Sequence, residues 1–261
     1  MPNGPVARAG VVAVATLRGA LAGWRSLGLG LLAASYPLIV VAIGAGKLSN
    51  VDLLAASESI FSVLFIPVIL LMVSLVLGVG LFRGEMEDDT LVYPMSRSLP
   101  RGALVLGKYV GYVLAAIVVL LPSALVGLAV GVAMNVGPQV SLDGLLPGVL
   151  LMTVLAILAY GAFFLFLGLL TRQALVIGLI YGFLWEAFVP LLPGPLKELS
   201  LVYYLRAAGA GLVSGGPLAS SSAPVSLGAS VAVLVGFSGA CTVLAALYVR
   251  YAEVRPGAAP A

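Results

Sequence analysis

The sequence predicts an all-α, polytopic membrane protein with six transmembrane helices, and three observations carry that prediction. Of its 261 residues, 62% are hydrophobic and 9% charged, whereas a soluble domain is about a quarter charged. Mean hydropathy is +1.19, which excludes a water-soluble globule. Long uncharged stretches recur along the chain, and at about 20 residues per apolar span the length accommodates six crossings with no room for a second sizeable soluble domain. The whole of 1–261 therefore reads as a single transmembrane domain.

The first element expected is an amphipathic helix over 6–26 that lies along the inner surface of the membrane. Arg18 and Arg25 are seven apart and share a face, while Val14, Leu17, Leu21 and Trp24 offer apolar surface and an interfacial anchor. A cleaved signal peptide fits less well: the first strongly apolar run begins near Leu27, is long enough to span, and has no small-residue cleavage site after a short apolar core. Six spans then follow at 27–46, 60–82, 109–134, 145–170, 174–192 and 225–249. Pro37, Pro67, Pro122 and Pro147 fall inside or near the ends of these spans and predict kinks, because neighbouring helices can satisfy the carbonyls that proline frees.

Charge sets the orientation. Placing both termini in the cytoplasm puts every Lys and Arg there except Lys47, Lys197 and Arg206, as the positive-inside rule requires. The net charge of +3 is spread between apolar segments, so it reports topology and no nucleic-acid partner. With no histidine, histidine triads, imidazole haem ligation and His-containing zinc sites are excluded. The lone cysteine, Cys241, cannot form an internal disulfide.

The cytoplasmic connection at 83–108 concentrates charge as no other segment does. It holds Glu85, Glu87, Asp88 and Asp89, then the basic group Arg97, Arg101 and Lys108. The acidic half predicts the start of a short helix, since carboxylates oppose the macrodipole at an amino end, and Pro94 should end it. Pro100 then opens a second helix that passes through Arg101 and Lys108 directly into the third span. A solvated loop explains the basic residues but not this order. A metal or phosphate site on the four carboxylates lacks the spacing of a calcium loop, and a docking surface is the third reading. Gly102 to Lys108 imitates a phosphate-binding loop, yet Tyr109 stands where Ser or Thr is needed and the segment reads as helical.

Glu186 is the one carboxylate expected well inside a span. Ionised in hydrocarbon it would cost about 2.5–3.5 kcal/mol, so it should face protein, water or the outer interface. It is either a gate or path residue or, paired with Trp185, an interfacial anchor near Pro190 and Pro193. The outer connection at 193–224 should hold a short helix over 196–205 with Lys197, Glu198, Tyr203 and Tyr204, followed by turns at Ser214 to Pro217 and Ser220 to Pro224. Glycine pairs four apart, Gly107/Gly111, Gly127/Gly131 and Gly178/Gly182, permit close helix contact without specifying which helices meet.

The run Glu87, Thr90, Leu91, Ser96, Arg97, Pro100, Arg101 and Gly107-Lys108, opening into a long apolar helix, resembles the coupling segment of the type-2 ABC transporter permeases. Asp89 stands where that family commonly has glycine. The resemblance implies an exporter subunit of the cell membrane that pairs with a second permease subunit, as a homodimer or heterodimer, and with cytoplasmic ABC ATPase subunits. It implies ATPase-coupling roles for Glu85, Glu87, Asp88, Asp89, Thr90, Leu91, Arg97 and Arg101. No catalytic site or cofactor is expected in this chain; ATP and Mg would be bound by the partner ATPase. The alternative is a stand-alone secondary transporter or channel that uses Glu186.

Overall fold

The computed structural model describes residues 5–46, 52–87, 101–135, 142–171, 173–192, 195–213, 216–220 and 225–251, and among them all regular structure is helical. The amino-terminal helix, α1 (Pro5–Leu21), opens on a proline, whose missing N–H costs nothing at a first helical position. It stops short of the expected 6–26. Gly23 adopts φ 111°, a left-handed conformation that glycine alone takes readily, and α2 (Trp24–Ala45) begins after it. Arg18 and Arg25 therefore stand on different helices and share no face, which corrects the single amphipathic helix expected from their spacing.

The second long helix, α3 (53–87), is α-helical over Leu53–Ile60 and Leu71–Glu87 and π-helical over Phe61–Leu70. Asp52 caps it, its carboxylate accepting from the backbone N–H groups of Leu54 and Ala55 at 3.1 Å each. The wider turns surround Pro67: proline removes a donor and crowds the carbonyl one turn back, and the π geometry makes room for it. The remaining helices are α4 (Arg101–Ala133), α5 (Leu142–Leu170), α6 (Ala174–Glu186), α7 (Leu201–Ala210), α8 (Gly216–Ser220) and α9 (Leu227–Tyr251). Pro37, Pro122 and Pro147 lie inside helices that run on without a break.

Five helices, α2, α3, α4, α5 and α9, are long and apolar enough to cross a membrane, whereas α6 has the composition but spans only 174–186. At 1.5 Å per residue that is about 20 Å, against a hydrocarbon core of about 30 Å. The expected span at 174–192 is thus shortened: beyond Glu186 the chain tightens into a 3-10 turn at Val189–Leu191 around Pro190. Its direction is nevertheless that of a sixth pass. Gly178 and Gly182 face Leu75 and Leu71 in that order, so α6 runs antiparallel to α3.

The other two glycine pairs are also helix contacts. Gly107 meets Ala9 and Val12, and Gly111 meets Ala13 and Thr16, so α1 lies lengthwise and parallel along the first turns of α4. Gly127 meets the Tyr36 ring and Gly131 meets Ser57, which fits α2 and α3 against the far half of α4. Beside this contact Tyr36, Phe61 and Phe65 form an aromatic cluster with centroids 5.1 to 6.0 Å apart. The hydroxyl of Tyr109 on α4 donates to the Leu158 carbonyl of α5 at 2.9 Å and lies 2.8 Å from Ser238 of α9. With α5 the most enclosed of the long helices, the bundle has one core and two polar ends.

Candidate functional site

At one end of the bundle two buried carboxylates hold the short helices of the outer connection. Glu186 closes α6, and only 1% of its surface is exposed. Its Oε2 accepts from the Ser200 hydroxyl at 2.7 Å and the Val202 N–H at 3.1 Å. Its Oε1 accepts from the Leu201 N–H at 3.1 Å and from the Tyr181 hydroxyl. Leu201 and Val202 begin α7, whose first amides have no intrahelical acceptor, and Ser200 at the cap position gives them none. Glu186 supplies that cap from another helix, and its charge meets the positive end of the helix dipole. Trp185 clamps the same point, donating from Nε1 to the Leu199 carbonyl at 3.2 Å.

The second carboxylate, Glu58, is 2% exposed and accepts from the Leu218 N–H of α8 at 3.1 Å. Glu186 is therefore not the only carboxylate inside a span. The expected span began at residue 60, whereas α3 starts at Leu53 and carries Glu58 into the packed region. The signal lay in the uninterrupted run from Leu53 through Phe61, in which Glu58 is the single charge. From α7, Arg206 donates through Nη2 to the Ser62 carbonyl of α3 at 3.1 Å, and its burial pulls the guanidinium below its ordinary value. The expected helix over 196–205 is in fact a 3-10 turn, Pro195–Leu199, followed by α7, with the break at Ser200 where Glu186 binds.

Glu186 and Trp185 together tie the end of α6 to residues 199–202. The carboxylate accepts four hydrogen bonds, one from Tyr181 of its own helix and three from residues 200–202, and so links α6 to the start of α7. Glu58→Ala, which removes the carboxylate that accepts from the Leu218 amide, is expected to cost about 1–3 kcal/mol. Thermal unfolding of the purified protein in detergent reads this as a lowered midpoint.

The opposite end carries both signs of charge. Lys108, 3% exposed, donates from Nζ to the Leu81 carbonyl and lies 4.2 Å from the centroid of the Phe82 ring. It ties the last part of α3 to the start of α4 while its alkyl stem lies in apolar surroundings. Helix α4 begins at Arg101 and continues through Lys108 without interruption, as the proline at position 100 predicts, and the phosphate-loop resemblance at 102–108 dissolves into helix.

On the acidic side the expectation changes. Glu85 and Glu87 fall in the closing turn of α3, not at the start of a separate helix, because α3 continues past the membrane-type segment that ends at Phe82. Asp88, Asp89, Thr90, Leu91 and Arg97 lie outside the described residues.

Fold and ends together define a class: a polytopic all-α membrane protein whose passes alternate in direction, with short helices stapled across one end and two long helices, α3 and α4, reaching the other. Residues 38–251 match the family described as ABC-2 family transporter protein, and the chain belongs to that family. A search of curated proteins finds no match.

Proposed function

We propose that the chain is the permease subunit of an ATP-driven exporter of the cell membrane, forming the substrate path with a second permease subunit and driven by separate cytoplasmic ABC ATPases. The observation that carries the reading is the continuity of α3 to Glu87 and of α4 from Arg101. Residues 88–100 join these two helices in the chain. Force applied there by a docked ATPase would travel along both helices, and a rigid-body rotation of packed helices can open a path alternately to either side. ATP and Mg belong to the ATPase in this scheme.

Pairing with a second permease subunit is supported by α6. Val176, Ile180, Phe183 and Leu184 are exposed along it, on a segment too short to match the bilayer by itself. Oligomerisation is one way a short apolar segment avoids that mismatch.

The test is charge reversal in the reconstituted complex. Glu87→Lys with Asp88→Lys is expected to lower transport-coupled ATPase activity about tenfold or more, the equivalent of about 1.4 kcal/mol of lost docking, while membrane insertion and thermal stability stay unchanged. Undiminished coupling in that variant, or uphill transport by the purified chain alone in vesicles, overturns the reading.

A further inference from the structure

Two stretches of wide, π-type helix stand side by side in the bundle, residues 61–70 of α3 and residues 181–186 of α6. Such turns are rare and recur at functional sites. Both are tied to α7. Glu186 ends the α6 stretch and holds the first amides of α7. Its bond from Tyr181 joins residues five apart, a spacing that meets on a wide turn and not on an α-helix, where facing neighbours are three or four apart. Arg206 of α7 reaches the other stretch, donating from Nη2 to the Ser62 carbonyl at 3.1 Å.

The acceptor that Arg206 takes is the informative one. In the i→i+5 pattern of π turns the carbonyl of residue 62 pairs with the amide of residue 67. Residue 67 is proline, which has no N–H to give. The Ser62 carbonyl is thus the one that the proline leaves open, and inside a span a backbone carbonyl must find its donor within the protein. A guanidinium, whose charge strengthens the bond, supplies that donor from another helix. In the α pattern the same carbonyl would take the Ile66 N–H and need no guanidinium, so the register of α3 here and the position of α7 are linked. We propose that α7 is the latch of a hinge in α3: Arg206 stands in for the amide that Pro67 lacks and holds residues 61–70 in the wide register, and withdrawal of α7 frees the hinge. Helices bend at prolines and π turns, and this one divides the part of α3 that carries Glu58 from the length that runs to Glu87. The ties of the outer connection thereby act on a helix that reaches the opposite end of the bundle.

Hydrogen exchange of the purified protein in detergent, read by mass spectrometry on peptides from 61–70 and from α9, tests the latch. Arg206→Met is expected to speed exchange within 61–70 at least about tenfold, the loss of one hydrogen bond from a charged donor, and to leave α9 unchanged. Arg206→Lys keeps a donor and should stay close to the parent chain. Pro67→Ala restores an N–H at position 67, so the Ser62 carbonyl then has a backbone partner in either register, and Arg206→Met in that background should change exchange less than about twofold. Equal acceleration by Arg206→Met with and without Pro67→Ala overturns the proposal, since the tie would then owe nothing to the proline. Acceleration spread equally over α9 overturns it as well, because Arg206 would then support the fold as a whole. If Arg206→Met yields no folded protein, restoration of folding by Pro67→Ala supports the latch, and failure to restore it overturns the latch. None of these readouts involves ATP, a partner chain or transport, so the result is independent of the proposed coupling.

Discussion

Replacing Glu186 with alanine is expected to abolish or nearly abolish recovery of folded protein, because it removes one acceptor group from four donors at once. Two of those donors, the Leu201 and Val202 amides, cannot turn elsewhere. Each buried orphan costs about 1–3 kcal/mol, so the pair alone accounts for roughly 2–6 kcal/mol, a large share of a typical stability of about 5–15 kcal/mol. Glu186→Gln keeps one oxygen but turns an NH2 group toward donors, and it should fall between alanine and the parent chain. Ser200→Ala loses a single hydroxyl contact and should cost least. Thermal unfolding in detergent should therefore rank the recoverable chains parent, Ser200→Ala, Glu186→Gln, while Glu186→Ala gives the lowest yield of folded protein by size-exclusion chromatography. If Glu186→Gln matches the parent in both stability and transport, the residue is neither strut nor gate.

The layout of the fold was legible in the sequence because hydrocarbon imposes it: apolar runs of sufficient length become helices, and the five long helices stand close to their expected positions. The glycine pairs at 107/111, 127/131 and 178/182 were visible as contact surfaces, but not their partners, since a missing side chain carries no information about what fills its place. Composition could not foretell that α6 would stop at Glu186, because the stop depends on α7 presenting its amides there, a contact between residues 14 to 16 positions apart. Glu58 was missed for a related reason. A single carboxylate near a span end reads as flank until its acceptor role toward residue 218, 160 positions away, places it in the interior. The gap after α1 turned on the backbone conformation of one glycine, Gly23, which spacing arguments do not register.

Gly127→Leu is expected to block assembly of the bundle as completely as Glu186→Ala, by overfilling where the other variant empties. A Cβ at Gly127 would collide with the edge of the Tyr36 ring at Cε1, and the ring has nowhere to go. Phe61 and Phe65 flank it at 6.0 and 5.1 Å between centroids, and its hydroxyl is bonded to the Ser57 carbonyl at 3.3 Å. Even alanine at 127 should cost about 1–3 kcal/mol through forced shifts of α2 against α4. Tyr36→Ala alone should cost about 3–5 kcal/mol by leaving a cavity. Combined, the two alanine substitutions relieve one another, because the added methyl enters space the ring has vacated. The double variant should thus be less destabilised than the sum of the single ones by about 0.5–3 kcal/mol, the coupling of residues in contact. Gly236→Ala on α9, where a Cβ meets nothing within 4 Å, serves as the control and should change stability by less than about 0.5 kcal/mol. Equal effects at 127 and 236, or strict additivity of Gly127→Ala with Tyr36→Ala, would mean that α2 and α4 do not meet at this point, and the parallel run of the first two helices along α4 would have to be redrawn.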